Sequence, residues 1–125
     1  MTTVALTKEN FEQVITGNET VILDFWAPWC GPCRSFAPVF ESAAEKYPAL
    51  VFAKINTEDE PELAATFEIR TIPTLMVVRD RVVLFSQAGA LPGSALDSIV
   101  DKTLALDMQE VHKQVAEQNA GQAES

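Results

Sequence analysis

Both cysteines of this 125-residue chain lie in one short segment, Trp29-Cys30-Gly31-Pro32-Cys33. Two thiols separated by two residues can close a small disulfide ring, and a helix that begins at the first thiol lowers the pKa of that thiol. Glycine lets the chain turn sharply, and proline suits the first turn of a helix, where no amide donor is needed. The segment therefore predicts a dithiol at a strand-to-helix junction that can pass two electrons back and forth.

Two other uses of a close cysteine pair are a zinc site and an inert structural disulfide. Structural zinc takes four nitrogen or sulfur ligands, and the chain offers two cysteines and the distant His112. A bridge across two residues closes almost no loop, so it removes little entropy from the unfolded chain. Redox exchange is favoured: Cys30, reached by solvent at the helix start, attacks a target disulfide, and Cys33, one turn further in, breaks the mixed disulfide.

The composition is that of a single domain with an acidic surface. A length of 125 residues fits one domain, and an apolar fraction of 47% is ample for a core. Nine basic and eighteen acidic residues give a formal net charge of -9. Such a surface repels phosphate backbones and anionic lipids, so neither nucleic acid nor a membrane is expected as a partner.

The sequence shows no export signal and no membrane anchor. Its first six residues, Met1 to Leu6, carry neither a basic stretch nor a long apolar one. No apolar run approaches the roughly 20 residues that span a bilayer. We therefore expect a cytoplasmic protein, and among cytosolic reductants a close cysteine pair is more often catalytic or metal-binding than structural.

The hydrophobic pattern alternates between strand and helix signatures. Apolar runs rich in branched and aromatic residues predict strands at Val21–Trp26, Leu50–Ile55, Thr74–Val78 and Val82–Phe85. The predicted helix starts are an N-cap at Thr7, the cysteine segment, a capping box of Thr57 with Glu60, and Ser94 with Asp97. This order implies an α/β fold with a mixed sheet and helices on both faces.

The final part of the chain, residues 107–125, differs from the rest. Apolar residues at positions 108, 111 and 115 keep a helical period, and the residues from Gln118 onward are small, polar and acidic. We expect one domain over residues 1–106, and then an acidic C-terminal extension of the last helix, solvated and with a frayed end. The alternative is a helix that docks a partner.

Other short motifs accompany the cysteine segment at fixed distances. They are Asp24-Phe25-Trp26-Ala27-Pro28, Phe52-Ala53-Lys54-Ile55-Asn56, Ile72-Pro73-Thr74 and Gly89-Ala90-Leu91. With these motifs the chain resembles the thioredoxins from about residue 4 to residue 106, in register and without large insertions. The resemblance implies the thioredoxin fold, a central mixed five-stranded sheet flanked by helices. The zinc-binding N-terminal extension of some bacterial members is not seen, since there are no further cysteines.

The resemblance implies a catalytic set of Cys30, Gly31, Pro32, Cys33, Asp24 and Lys54. Asp24 matches the family's buried acid beneath the dithiol, which accepts the Cys33 proton, and burial should raise the pKa of such an acid. The pattern alone leaves open a surface-facing aspartate on an edge strand. Lys54, on a neighbouring strand, is either a modulator of Asp24 or an ordinary lysine with its charged end in solvent.

The resemblance also implies a substrate-binding surface of Trp29, Thr71, Ile72, Pro73, Gly89 and Ala90. Trp29 should form an exposed apolar collar, whereas Trp26 should pack below the active-site turn. The Ile72-Pro73 bond is expected to be cis and to lie against the dithiol, and the backbone before the proline pairs with a substrate strand. Pairing through backbone groups suits many extended peptides.

Three positions depart from the family's usual residues. Thr71 stands where many members carry glycine, which adds bulk beside the groove and could alter target preference. Arg81 occupies a hairpin site usually given to glycine, so either a non-glycine residue adopts an unfavourable φ or the turn type differs. Pro28 precedes Trp29 where a charged or small residue is common, and this change looks structural.

The function that the resemblance implies is protein-disulfide reduction in cell redox homeostasis, with recharging by an NADPH-dependent thioredoxin reductase. Implied targets are ribonucleotide reductase, methionine sulfoxide reductase and the thiol peroxidases known as peroxiredoxins. No bound cofactor is needed, because Cys30 and Cys33 carry the electrons, and a monomer is expected. The alternatives are an exported thiol-disulfide oxidase or isomerase, whose oxidising members usually place histidine inside the motif, and a non-enzymatic binding module on the same fold.

Overall fold

The structure, a computed structural model, describes residues 3–124, and the side chains of residues 3–119. Its elements in chain order are β1 Thr3–Ala5, α1 Phe11–Gly17, β2 Thr20–Trp26, α2 Gly31–Lys46, β3 Val51–Asn56, α3 Pro61–Thr66, β4 Thr74–Arg79, β5 Val82–Ala88, α4 Gly93–Leu104 and α5 Met108–Glu124. Met1, Thr2 and Ser125, on which part of the expectations for the two ends of the chain rest, lie outside the described residues.

The five strands form one mixed sheet in the spatial order β1-β3-β2-β4-β5. β3 runs parallel to both β1 and β2, whereas β4 runs antiparallel to β2 and β5. The predicted fold class is confirmed. β2, which leads into the cysteine segment, is the middle strand, so any polar side chain at its centre is surrounded by other strands.

Helices cover both faces of the sheet, and the alternation of side chains along β2 assigns each residue to one face. Val21, Leu23 and Phe25 belong to a core cluster with residues of α1 and α3. Ile22 belongs to the other cluster, which contains the apolar residues of α2 and α4. By the same period of two, Asp24 lies on the face that α2 and α4 cover.

The hairpin between β4 and β5 uses a two-residue loop, Asp80-Arg81. Both residues have positive φ, 51° and 66°, as the favoured type I′ hairpin turn requires. The first of the two predicted possibilities is therefore confirmed: a non-glycine residue adopts the left-handed conformation at position 81. The right-handed twist of the two strands, which a type I′ turn matches, accounts for this conformation.

Three predicted helix starts are wrong. Asn10, not Thr7, is the N-cap of α1, because its carbonyl accepts a hydrogen bond from the Val14 N–H (2.9 Å); its side chain accepts from the Thr7 N–H (2.8 Å) and closes a turn before the helix. There is no capping box at Thr57, whose hydroxyl instead donates to the Trp26 carbonyl (3.1 Å). α4 begins at Gly93, one residue before Ser94, and has Pro92 as its N-cap.

The segment after residue 104 is a separate helix and not an extension of the last one. α4 ends at Leu104, and α5 begins at Met108. Arg79 donates hydrogen bonds to the carbonyls of Thr103 (2.8 Å) and Leu106 (3.4 Å), which satisfies acceptors where α4 stops. His112 of α5 lies 3.2 Å from the Asp80 carboxylate in the hairpin. Between residues 3 and 124 no helix is both long enough and apolar enough to cross a membrane.

Replacing Arg81 with glycine should stabilise the protein. Glycine removes a left-handed penalty of about 1–2 kcal/mol, and its extra freedom in the unfolded chain offsets part of that gain. We expect the free energy of unfolding in urea to rise by roughly 0.5–1 kcal/mol. Arg81→Ala, which removes the same side chain but keeps the penalty, is the control, and equal values for the two variants would contradict the prediction.

Candidate active site

The dithiol lies where the middle strand passes into helix α2. Cys30 is the N-cap of α2, and its sulfur accepts a hydrogen bond from the Cys33 N–H (3.2 Å). Pro32 occupies the first turn, where its missing N–H costs nothing. A disulfide joins Cys30 to Cys33, whose Cα atoms are 5.2 Å apart. The predicted redox pair at a strand-to-helix junction is thus present.

The sulfurs are more enclosed than the sequence suggests. Cys30 is 4% exposed and Cys33 is 3% exposed, and both pack against Ala27, Trp26 and Ile72. The expectation that solvent reaches Cys30 is therefore wrong for this oxidised state, whereas the burial expected for Cys33 is confirmed. The reason is that the Cys30 sulfur is turned inward, toward Cys33 and to 3.7 Å from the Ile72 carbonyl oxygen.

Exposed residues next to the disulfide define the side from which a partner can approach. Gly31 and Pro32 are exposed, and Trp29 is 64% exposed, as the predicted apolar collar requires. The Trp29 ring is a large apolar surface that the fold itself does not bury. An exposed aromatic group beside a reactive centre suits contact with another protein.

Asp24 is the one acidic group buried on the α2 face of the sheet among the described residues. It is 1% exposed, and neither carboxylate oxygen has a hydrogen-bond partner. Burial, the largest cause, raises the pKa of Asp24 to about 7; Lys54 opposes the rise, and Glu41 adds to it. The edge-strand alternative is wrong, because β2 is the middle strand. This carboxyl group can gain or lose a proton near neutral pH.

Lys54 is close to both the carboxyl group of Asp24 and the ring of Trp26. On β3 it is the register partner of Asp24 on β2, and the period of two places it on the same face. Its ammonium lies 4.9 Å from the centroid of the Trp26 ring, within cation–π distance. Trp26 in turn packs against the cysteine cluster. Lys54 therefore has a defined position beside Asp24 without pairing directly with the carboxylate.

The loop before β4 forms the wall of the site that faces the Cys30 sulfur. The Ile72-Pro73 peptide bond is cis, as predicted, and the Ile72 carbonyl faces the Cys30 sulfur. The Thr74 hydroxyl donates to the Thr71 carbonyl, so Thr71, which is exposed, is tied into the same turn.

The loop after β5 contacts the loop before β4 through Gly89. The Gly89 N–H donates to the Pro73 carbonyl (2.8 Å), and Gly89 has a φ of +100°, which other residues rarely adopt. Ala90, next along the chain, is exposed. Of the predicted groove residues, Pro73 and Gly89 are therefore joined by a hydrogen bond, and Thr71 is held by Thr74 in the same turn, whereas no hydrogen bond ties Ala90 to them.

Two residues near the dithiol were not singled out from the sequence. Arg34, directly after Cys33, donates from Nη1 to the Pro28 carbonyl (2.9 Å). Glu41, on α2, accepts a hydrogen bond from the Thr3 hydroxyl (2.9 Å) and contributes to the raised pKa of Asp24. Adjacency to the cysteine segment is a signal for Arg34, but its backbone contact depends on the loop conformation, which the residue pattern does not specify.

A metal site has no support in the described part of the chain. Residues 3–124 contain no group of three or more His, Cys, Asp or Glu side chains arranged to hold a metal ion. The two thiols that zinc would need are joined to each other. The arrangement instead combines a reducible disulfide, a buried acid with a pKa of about 7, and a neighbouring loop in which Thr71 is exposed.

Comparisons with known proteins all find relatives from a single family. The family model described as Thioredoxin matches residues 2–102. A Streptomyces coelicolor protein named "Putative thioredoxin 2" is 58% identical over 118 residues, which are 94% of this chain and 88% of that one. "Thioredoxin 1" of Synechococcus elongatus is 42% identical over 102 residues, 80% and 95% of the two chains.

Solved structures show the same likeness. A Plasmodium falciparum thioredoxin has a TM-score of 0.74 at 33% identity and covers 79% of this chain and 97% of its own. A mutant thioredoxin from Halobacterium salinarum has a TM-score of 0.77 at 28% identity, with coverages of 83% and 92%.

Replacing Asp24 with asparagine should change how stability depends on pH. The pKa of Asp24 is about 7 in the folded protein against an ordinary 3.8, so between these values the folded state holds a proton that the unfolded state has lost. Stability then falls by about 1.4 kcal/mol per pH unit as pH rises, reaching a loss of roughly 4 kcal/mol above pH 7. Asp24→Asn removes this loss, so we expect the oxidised variant to be more stable than wild type at pH 8 by a few kcal/mol.

Urea unfolding of the oxidised protein at a series of pH values measures the effect. The advantage of Asp24→Asn should disappear toward pH 4, where the carboxyl is protonated in both states. Asp59→Asn, at an exposed position, is the matched control and should show no such pH-dependent gain. Parallel pH profiles for wild type and Asp24→Asn would contradict the assigned pKa.

Proposed function

The chain belongs to the thioredoxin family, and we propose from this that it is a protein-disulfide reductase. The observation that carries the proposal is the Cys30–Cys33 disulfide at the start of α2, on the same side of the sheet as the buried, unpaired Asp24. A disulfide that closes a ring of so few residues adds little stability. Reversible exchange is the use that fits its place beside an acid with a pKa near 7.

The first step is attack by the Cys30 thiolate of the reduced protein on one sulfur of a target disulfide. A mixed disulfide forms between Cys30 and the target, and the second target sulfur leaves as a thiolate, which takes a proton from solvent. The N-terminus of α2 supports this step, because its unpaired N–H groups and the helix dipole favour negative charge on the N-cap sulfur. Gly31 and Pro32 contribute because they start α2 directly after Cys30.

The second step is attack by Cys33 on the Cys30 sulfur. Cys33 must first lose its proton, and we assign Asp24 as the acceptor because its pKa of about 7 lets it take a proton under working conditions. The bond from Cys30 to the target breaks, the Cys30–Cys33 disulfide forms, and the target leaves with both sulfurs reduced. Two electrons have then moved from the dithiol to the target. Lys54 is assigned the role of limiting the rise in the Asp24 pKa.

The target is proposed to bind along the rim formed by Trp29, Thr71, Ile72, Pro73, Gly89 and Ala90. Trp29 offers an apolar contact, and the backbone beside Pro73 offers hydrogen bonds to an extended peptide segment. Backbone hydrogen bonds depend little on the side chains of the target, so this mode of binding suits many target proteins. The Thr71 side chain is exposed at the rim, so it is the candidate for restricting which target proteins bind.

The proposed electron source is an NADPH-dependent thioredoxin reductase, and the proposed targets are those of the family: ribonucleotide reductase, methionine sulfoxide reductase and peroxiredoxins. Such a cycle operates where reducing equivalents are abundant, which supports a cytoplasmic site of action. We assign the redox function to a thioredoxin domain over residues 1–106, active as a monomer. Residues 107–125 are proposed to be an appended helical segment outside that domain.

Insulin reduction with NADPH and a thioredoxin reductase tests the proposal. Wild-type protein should turn over repeatedly, and Cys30→Ser should fall to the uncatalysed rate because the attacking sulfur is lost. Cys33→Ser should also fail to turn over but should accumulate a mixed disulfide with insulin, visible on a non-reducing gel and cleaved by dithiothreitol. Ser98→Ala, exposed on α4, is the control and should match wild type.

Two results would contradict the proposal. One is an absence of insulin reduction by wild-type protein whose dithiol has been reduced chemically beforehand. The other is full turnover by Cys30→Ser, which would place the activity elsewhere in the chain.

A further inference from the structure

A second acidic group, Glu41 of α2, is held against the face of the sheet that contains Asp24. Its Oε1 accepts a hydrogen bond from the Thr3 hydroxyl of β1 at 2.9 Å, and the residue is half-buried. Thr3 pairs with Phe52, which belongs to the core cluster under α2 and α4, so this contact lies on the same face as Asp24. The Glu41 carboxylate therefore has a fixed place beside β1.

The strand order places Lys54 between this carboxylate and Asp24. In the order β1-β3-β2, Lys54 on β3 is the register partner of Ala5 on one side and of Asp24 on the other. Thr3, which holds Glu41, is two residues before Ala5 and so lies on the same face. Neither Lys54 nor Glu41 takes part in any ion pair found among the described residues. The charge of Lys54 therefore acts through space on the carboxylates on both sides of it.

We propose that Glu41 is a positioning residue for the proton transfer from Cys33 to Asp24. Held by Thr3, its negative charge opposes the charge of Lys54, so that Asp24 remains a base strong enough to take the proton. The inference rests on the proposed function and names a residue that tunes its second step. A cation near a carboxyl group favours the carboxylate and makes it a weaker base, whereas a like charge nearby has the opposite effect.

The surroundings of Asp24 leave this tuning to two charged side chains. Burial is the largest cause of its raised pKa; Lys54 on β3 lowers that pKa, and Glu41 on α2 raises it. The other elements packed on this face contribute apolar residues: β4 places Leu75 opposite Asp24, and α4 contributes Leu96 to the same core cluster. A general base works best when its pKa is near the working pH. The pair of opposite charges therefore sets how well the buried acid serves the reaction.

The test follows the titration of Asp24 in the oxidised full-length protein, through the NMR resonance of its carboxyl carbon between pH 4 and pH 10. Glu41→Gln removes the charge but keeps the length of the side chain and an oxygen that can accept the Thr3 hydrogen bond. We expect the midpoint of the Asp24 titration to fall by about half a pH unit, the effect of losing one like charge across a partly hydrated distance.

Two further variants separate a fixed local charge from other causes. Thr3→Val removes the hydrogen bond and lets the Glu41 carboxylate turn toward solvent, so the Asp24 midpoint should fall by less than in Glu41→Gln. The double variant should fall no further than Glu41→Gln alone, because Thr3 acts only through that charge. Glu45→Gln removes the same charge from an exposed position one turn further along α2, and its midpoint should match wild type.

The functional readout is the pH profile of the second chemical step. After a single turnover with an aromatic disulfide, attack by Cys33 on the mixed disulfide releases an aromatic thiolate from Cys30, and the rate of this release is measured against pH. The midpoint of that profile should move to lower pH in Glu41→Gln and stay in place in Glu45→Gln. An unshifted Asp24 titration or rate profile in Glu41→Gln, an equal shift in Glu45→Gln, or a further fall in the double variant would each overturn the inference.

The outcome is independent of the reductase assay, because the titration of Asp24 needs no target protein. Failure of wild type to reduce insulin would remove the proposed function whatever the midpoints are. Normal insulin reduction together with an unshifted midpoint in Glu41→Gln would instead remove only the role of Glu41.

Discussion

The burial of one carboxyl group, without a hydrogen-bond partner, at the centre of the sheet is the constraint on which the site depends. Asp24 lies on the middle strand and is closed in by the neighbouring strands and by α2, so its ionised form loses solvation that no hydrogen bond replaces. Lys54 restores part of that loss through its charge, from a position fixed by strand register and by the Trp26 ring. The result is an acid that titrates near pH 7 inside an apolar core.

The sheet topology brings the other parts of the site to the same edge. β2 and β3 are parallel, so they end together at Trp26 and Asn56, while antiparallel β4 begins there, with Thr74 opposite Phe25. β5 ends at the same edge, with Ala88 opposite Thr74. Because of this register, the loop carrying the dithiol meets the loop of Ile72 and the turn at Gly89. Segments that are far apart in the sequence, such as those of Cys30 and Ile72, which are 42 positions apart, thus surround a single disulfide.

Much of this arrangement is readable from the sequence, because strong local patterns encode it. Apolar runs predict four of the five strands but not β1, which has only three residues, and the cysteine spacing with its glycine and proline predicts the start of α2. The helix starts at Thr7 and Thr57 are not predicted correctly, because a residue that suits an N-cap can make other contacts instead. The Thr7 N–H donates to the Asn10 side chain, which closes a turn before α1, and the Thr57 hydroxyl donates to the Trp26 carbonyl. The enclosure of Cys30 depends on how two loops meet, and the contact of Arg34 with Pro28 depends on the conformation of the loop before α2; no residue pattern specifies either.

The account depends most on Asp24 acting as the proton acceptor for Cys33, and a single-turnover reaction with the chromogenic disulfide DTNB tests this directly. Attack by Cys30 on the reagent releases one coloured thiolate, and attack by Cys33 on the mixed disulfide releases the second, so the two steps are seen separately. At pH 7 we expect Asp24→Asn to leave the first step nearly unchanged and to slow the second about a hundredfold, at the lower end of the range of general base catalysis. An unchanged second step in Asp24→Asn would contradict the account.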